Sequence, residues 1–167
     1  RGVDTLMNIY PFLLTTYNIK PWVTMLFQAM TEMMTLRDDD RLIYIWGHMG
    51  ETQLAAGNAR RASSSFRTAL ERAQDADALH LTMHAYIGLF RTQVIHLDHN
   101  FGDQMVADAI ELSRRLVDPE LQAGLYHAIE LAYNARGETK LALGYGQMAY
   151  ACWHTLGNIR GKAHVAF

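Results

Sequence analysis

The sequence predicts an all-α fold, an α-solenoid built from about four helical hairpins. Three observations lead to this prediction. First, Ala, Leu and Met are abundant whereas the 167 residues include only 3 prolines, a composition that favours helices. Second, residues of the same kind recur every 40 positions. Third, the apolar residues follow the spacing of amphipathic helices, and turn-forming residues separate these stretches.

Composition also bounds the class of protein. Half of the residues are hydrophobic and 19% are charged, so residues 1–167 are predicted to form a single folded domain. No apolar run approaches the roughly 18 residues of a membrane span. The formal net charge of −2 does not suit direct nucleic-acid binding, which requires a clustered basic face. Cys152 is the only cysteine, so a reducing, cytoplasmic location without an internal disulfide is expected.

The period of 40 residues appears as columns of matching residue type along the chain. Three columns agree at this one spacing: the aromatic Trp46, Tyr86 and Tyr126, the aliphatic Met49, Leu89 and Ile129, and the small Ala29, Ala69, Ala109 and Ala149. Alanine is common in this chain, so the alanine column alone carries little weight. The agreement of aromatic, aliphatic and small columns without a gap indicates a true internal repeat.

Each period contains two helical patterns, which divide the chain into hairpins. Four hairpins are predicted, at about residues 2–36, 40–75, 78–116 and 119–155, and residues 158–167 align with the start of another first helix. Gly57 and Asn58 suit the turn inside the second hairpin, and Pro119 suits the first position of a helix. A unit of this kind needs neighbours to bury its apolar face. The chain is therefore predicted to be part of a longer array, truncated at its C-terminal end.

Candidate catalytic residues are few. The segment Gly144-Tyr145-Gly146 lies within a helical pattern with no preceding strand, so it is predicted to allow close helix packing rather than to hold a phosphate. Cys152 is predicted to be a small buried hydrophobe on the apolar face of Ala149, Tyr150 and Trp153. No acid, base and nucleophile converge in the sequence, and a helical-repeat enzyme is the least favoured interpretation.

Two histidine pairs were considered as metal ligands. His80 and His84 are spaced i, i+4, and His96 and His99 are spaced i, i+3, so each pair places two imidazoles on one side of a helix. The sequence indicates no third ligand for either pair. Neither a metal nor any other cofactor is predicted.

The second hairpin resembles a tetratricopeptide repeat. Trp46, Met49-Gly50, Ala62, Phe66 and Ala69 stand at the offsets that this family uses, and Gly57 stands at its usual turn position. Gln53 departs from the family, which prefers Tyr there, and the period of 40 exceeds the usual 34 residues. The longer hairpins resemble the solenoids of bacterial signalling ATPases and transcriptional activators. The resemblance extends over the whole chain and is strongest over residues 44–73.

The resemblance implies a right-handed superhelix whose concave wall is lined mostly by first helices. Carried onto this sequence, the ligand-facing positions are Tyr44, Glu51, Leu54, His84, Arg91, Val94, His127 and Asn134. The implied function is noncatalytic: a scaffold or sensor segment that binds a protein or peptide within a larger regulatory protein. The alternative is an inducer-sensing domain of a bacterial transcriptional regulator, which binds a small molecule. Neither interpretation involves a membrane.

Overall fold

A computed structural model describes residues 20–36, 39–96 and 102–157 of the chain. Every regular element within these ranges is an α-helix, which confirms the all-α prediction for this part of the protein. The helices are α1 (Lys20–Leu36), α2 (Asp39–Ala55), α3 (Ala59–Asp75), α4 (Leu79–Thr92), α5 (Asp103–Arg115), α6 (Pro119–Ala135) and α7 (Thr139–Thr155). None of these helices combines the length and the apolar character that crossing a membrane requires. The first helix predicted within residues 2–36 and the one predicted from residue 158 lie outside the described residues.

The period of the sequence reappears as a period of helix starts. Helices α2, α4 and α6 begin at Asp39, Leu79 and Pro119, so consecutive starts are 40 residues apart. Each of these helices is followed by a second helix that ends before the next start. Residues 40 positions apart in the sequence therefore lie at the same distance from the helix start on α2, α4 and α6.

Helices that follow one another in the chain pack together, and α4 also packs against both α2 and α6. Helices α2, α4 and α6 therefore lie side by side, an arrangement that we call the α2–α4–α6 row. Pairs of contacting residues show the directions. Gln53 of α2 accepts a hydrogen bond from Ser65 of α3, and Gln74 of α3 donates one to Tyr86 of α4. These contacts, across the short turns that join the helices, place α3 antiparallel to α2 and to α4, so α2 and α4 run in the same direction.

The columns of the sequence form the core. All four alanines of the small column are buried, as are all three residues of the aliphatic column. In the aromatic column, Tyr86 and Tyr126 are buried, whereas Trp46 is only half-buried. Small side chains at helix crossings let the backbones approach closely, so the alanine column marks where second helices meet their neighbours.

Phe66 of α3 is the central residue between α2 and α4. Its ring faces Gly50 of α2 and Gly88 of α4. A Cβ atom added at Gly50 would lie 2.6 Å from the ring, and one added at Gly88 would lie closer still. Both positions therefore require glycine because the ring occupies the space of a side chain. The resemblance predicted Gly50, whereas no sequence pattern indicated the similar contact at Gly88.

Local sequence signals explain the helix ends. Gly57 has φ +76° and Gly137 has φ +78°, a left-handed conformation that glycine adopts without strain. The turn predicted at Gly57 is confirmed. Pro119 is the first residue of α6, as predicted, and the Asp118 carboxylate before it accepts a hydrogen bond from the Leu121 N–H at 3.0 Å. Asn58 precedes α3 without a side-chain capping bond.

The glycines of α7 differ in their surroundings. Gly146 is buried against α6, where an added Cβ would lie 3.2 Å from the Glu130 side chain, whereas an added Cβ at Gly144 would meet nothing within 4 Å. Close packing is therefore a property of Gly146 alone. Cys152 is half-buried beside Ala149 and Trp153. Tyr150 was expected on the same apolar face but is 41% exposed, because it lies on the side of α7 that faces away from these residues.

Candidate functional site

A cavity of about 260 Å³ lies between α2 and α4, and we call it the α2–α4 cavity. Four of the eight residues that the resemblance implied as ligand-facing line it: Tyr44 and Glu51 from α2, and His84 and Arg91 from α4. Most of its remaining wall is apolar and comes from Ile43, Phe66, Ala69, Leu81, Ala85 and Ile87. The cavity thus combines an apolar interior with a few polar groups, which is the usual composition of a binding pocket.

Two of the lining residues, Glu51 and Arg91, form an ion pair. The Arg91 guanidinium donates from one nitrogen to both oxygens of the Glu51 carboxylate, at 2.7 and 2.8 Å. The side chains are 43% and 27% exposed, so solvent screens the attraction in part. Because each charge is satisfied by the other, the pair presents a polar edge with no net charge.

Two histidines border the apolar wall, and burial lowers the pKa of both. Burial, and after it the nearby His84, lower the pKa of His48 to about 4. Burial is also the largest influence on His84 and lowers its pKa below the ordinary value, although the residue keeps an exposed edge. The Glu51 carboxylate opposes this shift, the His80 ring adds to it, and the Asp118 carboxylate opposes it.

A second cavity, of about 450 Å³, lies between α4 and α6, and we call it the α4–α6 cavity. Its lining residues are His80, His84, Asp118, Glu120, Leu121 and Trp153. His80 Nε2 is 3.9 Å from Asp118 Oδ2. His84 borders both cavities, so the two are adjacent along the α2–α4–α6 row.

The other four implied residues do not join the α2–α4 cavity. Leu54 is half-buried and packs toward α3, against Phe66 and its neighbours. Val94 is 49% exposed beyond the end of α4. His127 Nδ1 is 2.8 Å from the Glu130 carboxylate, and its ring meets the Trp153 ring edge-on. Asn134 lines a separate cavity of about 290 Å³ between α6 and α7.

These placements follow the columns of the repeat. Leu54, Val94 and Asn134 share one column, and both Leu54 and Asn134 lie between the first and second helix of their hairpins. This column therefore faces the hairpin partner rather than the next first helix. Glu51 and Arg91 share a different column, which faces along the α2–α4–α6 row.

Sequence reasoning missed several residues of the two cavities, chiefly Gly47, His48, Leu81, Asp118 and Glu120. Two of these residues could have been predicted from helical spacing. Gly47 and His48 follow Tyr44 by three and four positions and precede Glu51, so they share a face with both. Asp118, which precedes α6, and Glu120, which lies in α6, could not be predicted in this way, because their positions depend on how α6 packs beside α4.

Across residues 20–36, 39–96 and 102–157, no three His, Cys, Asp or Glu side chains are grouped as metal ligands. His80 and His84 both border the α4–α6 cavity. His99, which the sequence paired with His96, lies outside the described residues.

Comparison with known proteins adds no further assignment. No protein-family model matches the chain, and a search of curated proteins also finds no match.

Proposed function

We propose that this chain is a noncatalytic, tetratricopeptide-like solenoid segment of a larger regulatory protein, and that it binds a protein or peptide along the α2–α4–α6 row. The observation that carries the proposal is the pair of adjacent cavities that share His84. A peptide crossing successive first helices would meet one cavity and then the other. Grooves of this kind bind peptides through pockets for individual side chains.

Two features support the solenoid architecture. The first helices start 40 residues apart and lie side by side, as repeated units do when they stack. The alanine column, with one residue in each predicted unit, is buried throughout. These features favour a repeat whose exposed row is a binding wall.

The chemistry of the α2–α4 cavity suits binding better than catalysis. A general base works best when its pKa lies near the working pH, whereas the pKa of His48 is about 4. The Glu51 carboxylate is held by Arg91 and is a poor candidate for proton transfer. The apolar wall instead offers a surface that is stabilised when a ligand displaces water from it.

Affinity capture from the native lysate tests this proposal. The wild-type chain should retain a specific set of proteins, and Arg91→Glu should lose that set because two neighbouring carboxylates then replace the neutral ion pair at the cavity. His84→Ala should weaken retention as well. Arg114→Glu is the matched control, since Arg114 is exposed on α5, pairs with Glu111 of its own helix and lines neither cavity. Equal recovery by all four proteins, or recovery by none, would count against peptide or protein binding.

The largely apolar wall of the α2–α4 cavity supports a second candidate, small-molecule sensing. Its volume of about 260 Å³ is close to the lower end of typical ligand pockets. A ligand that binds only the folded state raises the melting temperature, by an amount that grows with the ratio of its concentration to its Kd. A thermal-shift screen of metabolites therefore separates the two candidates, because a metabolite that raises the melting temperature of the wild type but not of a cavity-filled variant favours sensing.

A further inference from the structure

Resting on the proposed function, we infer that the bound partner is a peptide segment with two determinants: an uncharged aromatic or branched aliphatic side chain that fills the α2–α4 cavity, and a Lys or Arg about three residues away that lies in the α4–α6 cavity. The inference follows from the difference between the two cavities. The α2–α4 cavity is mainly apolar and has no net charge, whereas the α4–α6 cavity is lined by two carboxylates.

The α2–α4 cavity selects an uncharged group. Its interior is formed by Ile43, Leu81 and Ile87 together with the ring of Phe66. Arg91 and Glu51 neutralise each other at its edge, so a charged ligand group would have to displace one of them or stay without a partner. An apolar cavity of about 150 Å³ is enough for a benzene molecule. The α2–α4 cavity, at about 260 Å³, has room for a phenyl, indole or branched aliphatic side chain.

The α4–α6 cavity favours a cation. Two carboxylates line it, those of Asp118 and Glu120, and none of its described lining residues is a Lys or Arg. The indole of Trp153 forms part of the wall. A Lys or Arg side chain in this cavity would gain from the carboxylates and would lie against an aromatic ring, two contacts that favour a cation in particular. Asp118 already accepts from the Leu121 N–H, so Glu120 is the carboxylate with the larger remaining capacity.

The spacing of the two determinants follows from the row itself. Packed helices lie about 8–10 Å apart, and an extended peptide advances about 3.3 Å per residue. The two cavities are separated by one interhelix distance, because both border α4 and share its residue His84. A peptide that crosses the row therefore places its two determinants about three residues apart.

Selection from a phage-displayed library of random peptides on the immobilised full chain tests the inference. The expected result is enrichment of peptides with an aromatic or branched aliphatic residue and a Lys or Arg about three positions away. One enriched peptide, labelled with fluorescein, then serves as the probe for affinity measurements on variants. Circular dichroism and thermal melts establish that each variant is folded.

Gly47→Phe tests the apolar determinant. Gly47 lines the α2–α4 cavity, and a Cβ added there meets no atom within 4 Å, so the new ring fills the cavity without a backbone clash. Replacing glycine within a helix also favours folding. Binding of the probe should fall by more than about tenfold. Gly144→Phe on α7 is the matched control, since its Cβ position is equally open and lies outside both cavities, and it should bind as the wild type does.

Glu120→Lys tests the basic determinant. The variant should bind the probe about tenfold more weakly and should regain affinity for a probe whose Lys or Arg is replaced by Glu. Glu71→Lys is the control, because Glu71 is exposed on α3 and lines neither cavity. Enriched peptides that lack the pattern, or that bind both variants as they bind the wild type, would overturn the inference and leave peptide binding intact. A library that yields no binder would instead overturn the proposed function, and the inference with it.

Discussion

Arg91 and Glu51, one full repeat apart in the sequence, are joined across α2 and α4 by hydrogen bonds of 2.7 and 2.8 Å. The two residues lie 40 positions apart in the sequence, and their contact joins α2 to α4 where both residues line the α2–α4 cavity. The 40-residue spacing of the sequence thus brings two polar residues together at the proposed binding surface.

A double-mutant cycle should assign this pair a small coupling energy. Arg91→Ala and Glu51→Ala together should show a coupling of about 0.2–1 kcal/mol, because both side chains are partly exposed and solvent screens the attraction. The measurement is urea unfolding of the four proteins, and the coupling should shrink at high salt. A coupling well above this range, unchanged by salt, would mean that the pair is more strongly desolvated than its exposure indicates.

Replacing Gly88 by Ala should destabilise the protein. The new methyl group would overlap the buried ring of Phe66, which is also confined by Gly50 and so has no free space on that side. Overpacking of this kind costs about 1–3 kcal/mol in the free energy of unfolding. Denaturant unfolding of Gly88→Ala measures the effect, and combination with Phe66→Leu should recover part of the loss.

Gly144→Ala is the control for this prediction. Its Cβ meets nothing within 4 Å, so only the helix propensity changes, and the variant should gain up to about 1 kcal/mol. If Gly88→Ala were as stable as Gly144→Ala, the close contact between α4 and the Phe66 ring would be refuted.

Mild acid should destabilise the fold through His48. Its pKa is about 4 in the folded state and near 6.5 in the unfolded state, so the unfolded state binds more protons between these values. The stabilising contribution is complete above pH 6.5 and is lost as the pH falls toward about 4. The full loss is on the order of 3 kcal/mol, and the lowered pKa of His84 acts in the same direction.

Urea unfolding at pH 7 and pH 5 measures this dependence. His48→Gln should lose less stability between the two pH values than the wild type does. His154→Gln, which replaces an exposed histidine of α7, should keep the wild-type difference. An unchanged pH dependence in His48→Gln would show that His48 is not the group responsible.

Asp118→Ala should cost about 1 kcal/mol of stability, because the carboxylate caps α6 through the Leu121 N–H at 3.0 Å. Asn58→Ala provides a comparison at the start of α3, where the side chain makes no capping bond and the change should be close to neutral. Thermal melts of both variants give the two values. Equal losses would indicate that the Asp118 bond contributes nothing beyond helix propensity.

The helices and their period were predictable because the signals are local. Apolar spacing, the glycine at 57 and the proline at 119 act within a few residues, and the same signals recur every 40 positions. The placement of Tyr44, Glu51, His84 and Arg91 around one cavity was also accessible, because residues in one column fall at the same height on parallel helices.

The remainder of the site depends on contacts between distant parts of the chain. Trp153 borders the α4–α6 cavity only because α7 packs back along α6. The resemblance implied a ligand-facing position for Leu54 as well as for Glu51. Leu54 instead packs toward α3, because it lies on the side of α2 that faces its hairpin partner. A pattern read along one helix does not show which of two flanking helices a side chain meets.

The Phe66 ring between Gly50 and Gly88 has a consequence for the thermodynamics of ligand binding. The buried ring lies against both glycines and so separates α2 from α4, and we expect the proposed binding surface between these helices to keep its width without a ligand. A preorganised groove needs little ordering on association. Binding should therefore show the negative heat-capacity change of apolar surface leaving water, without the larger change that accompanies coupled folding of the receptor.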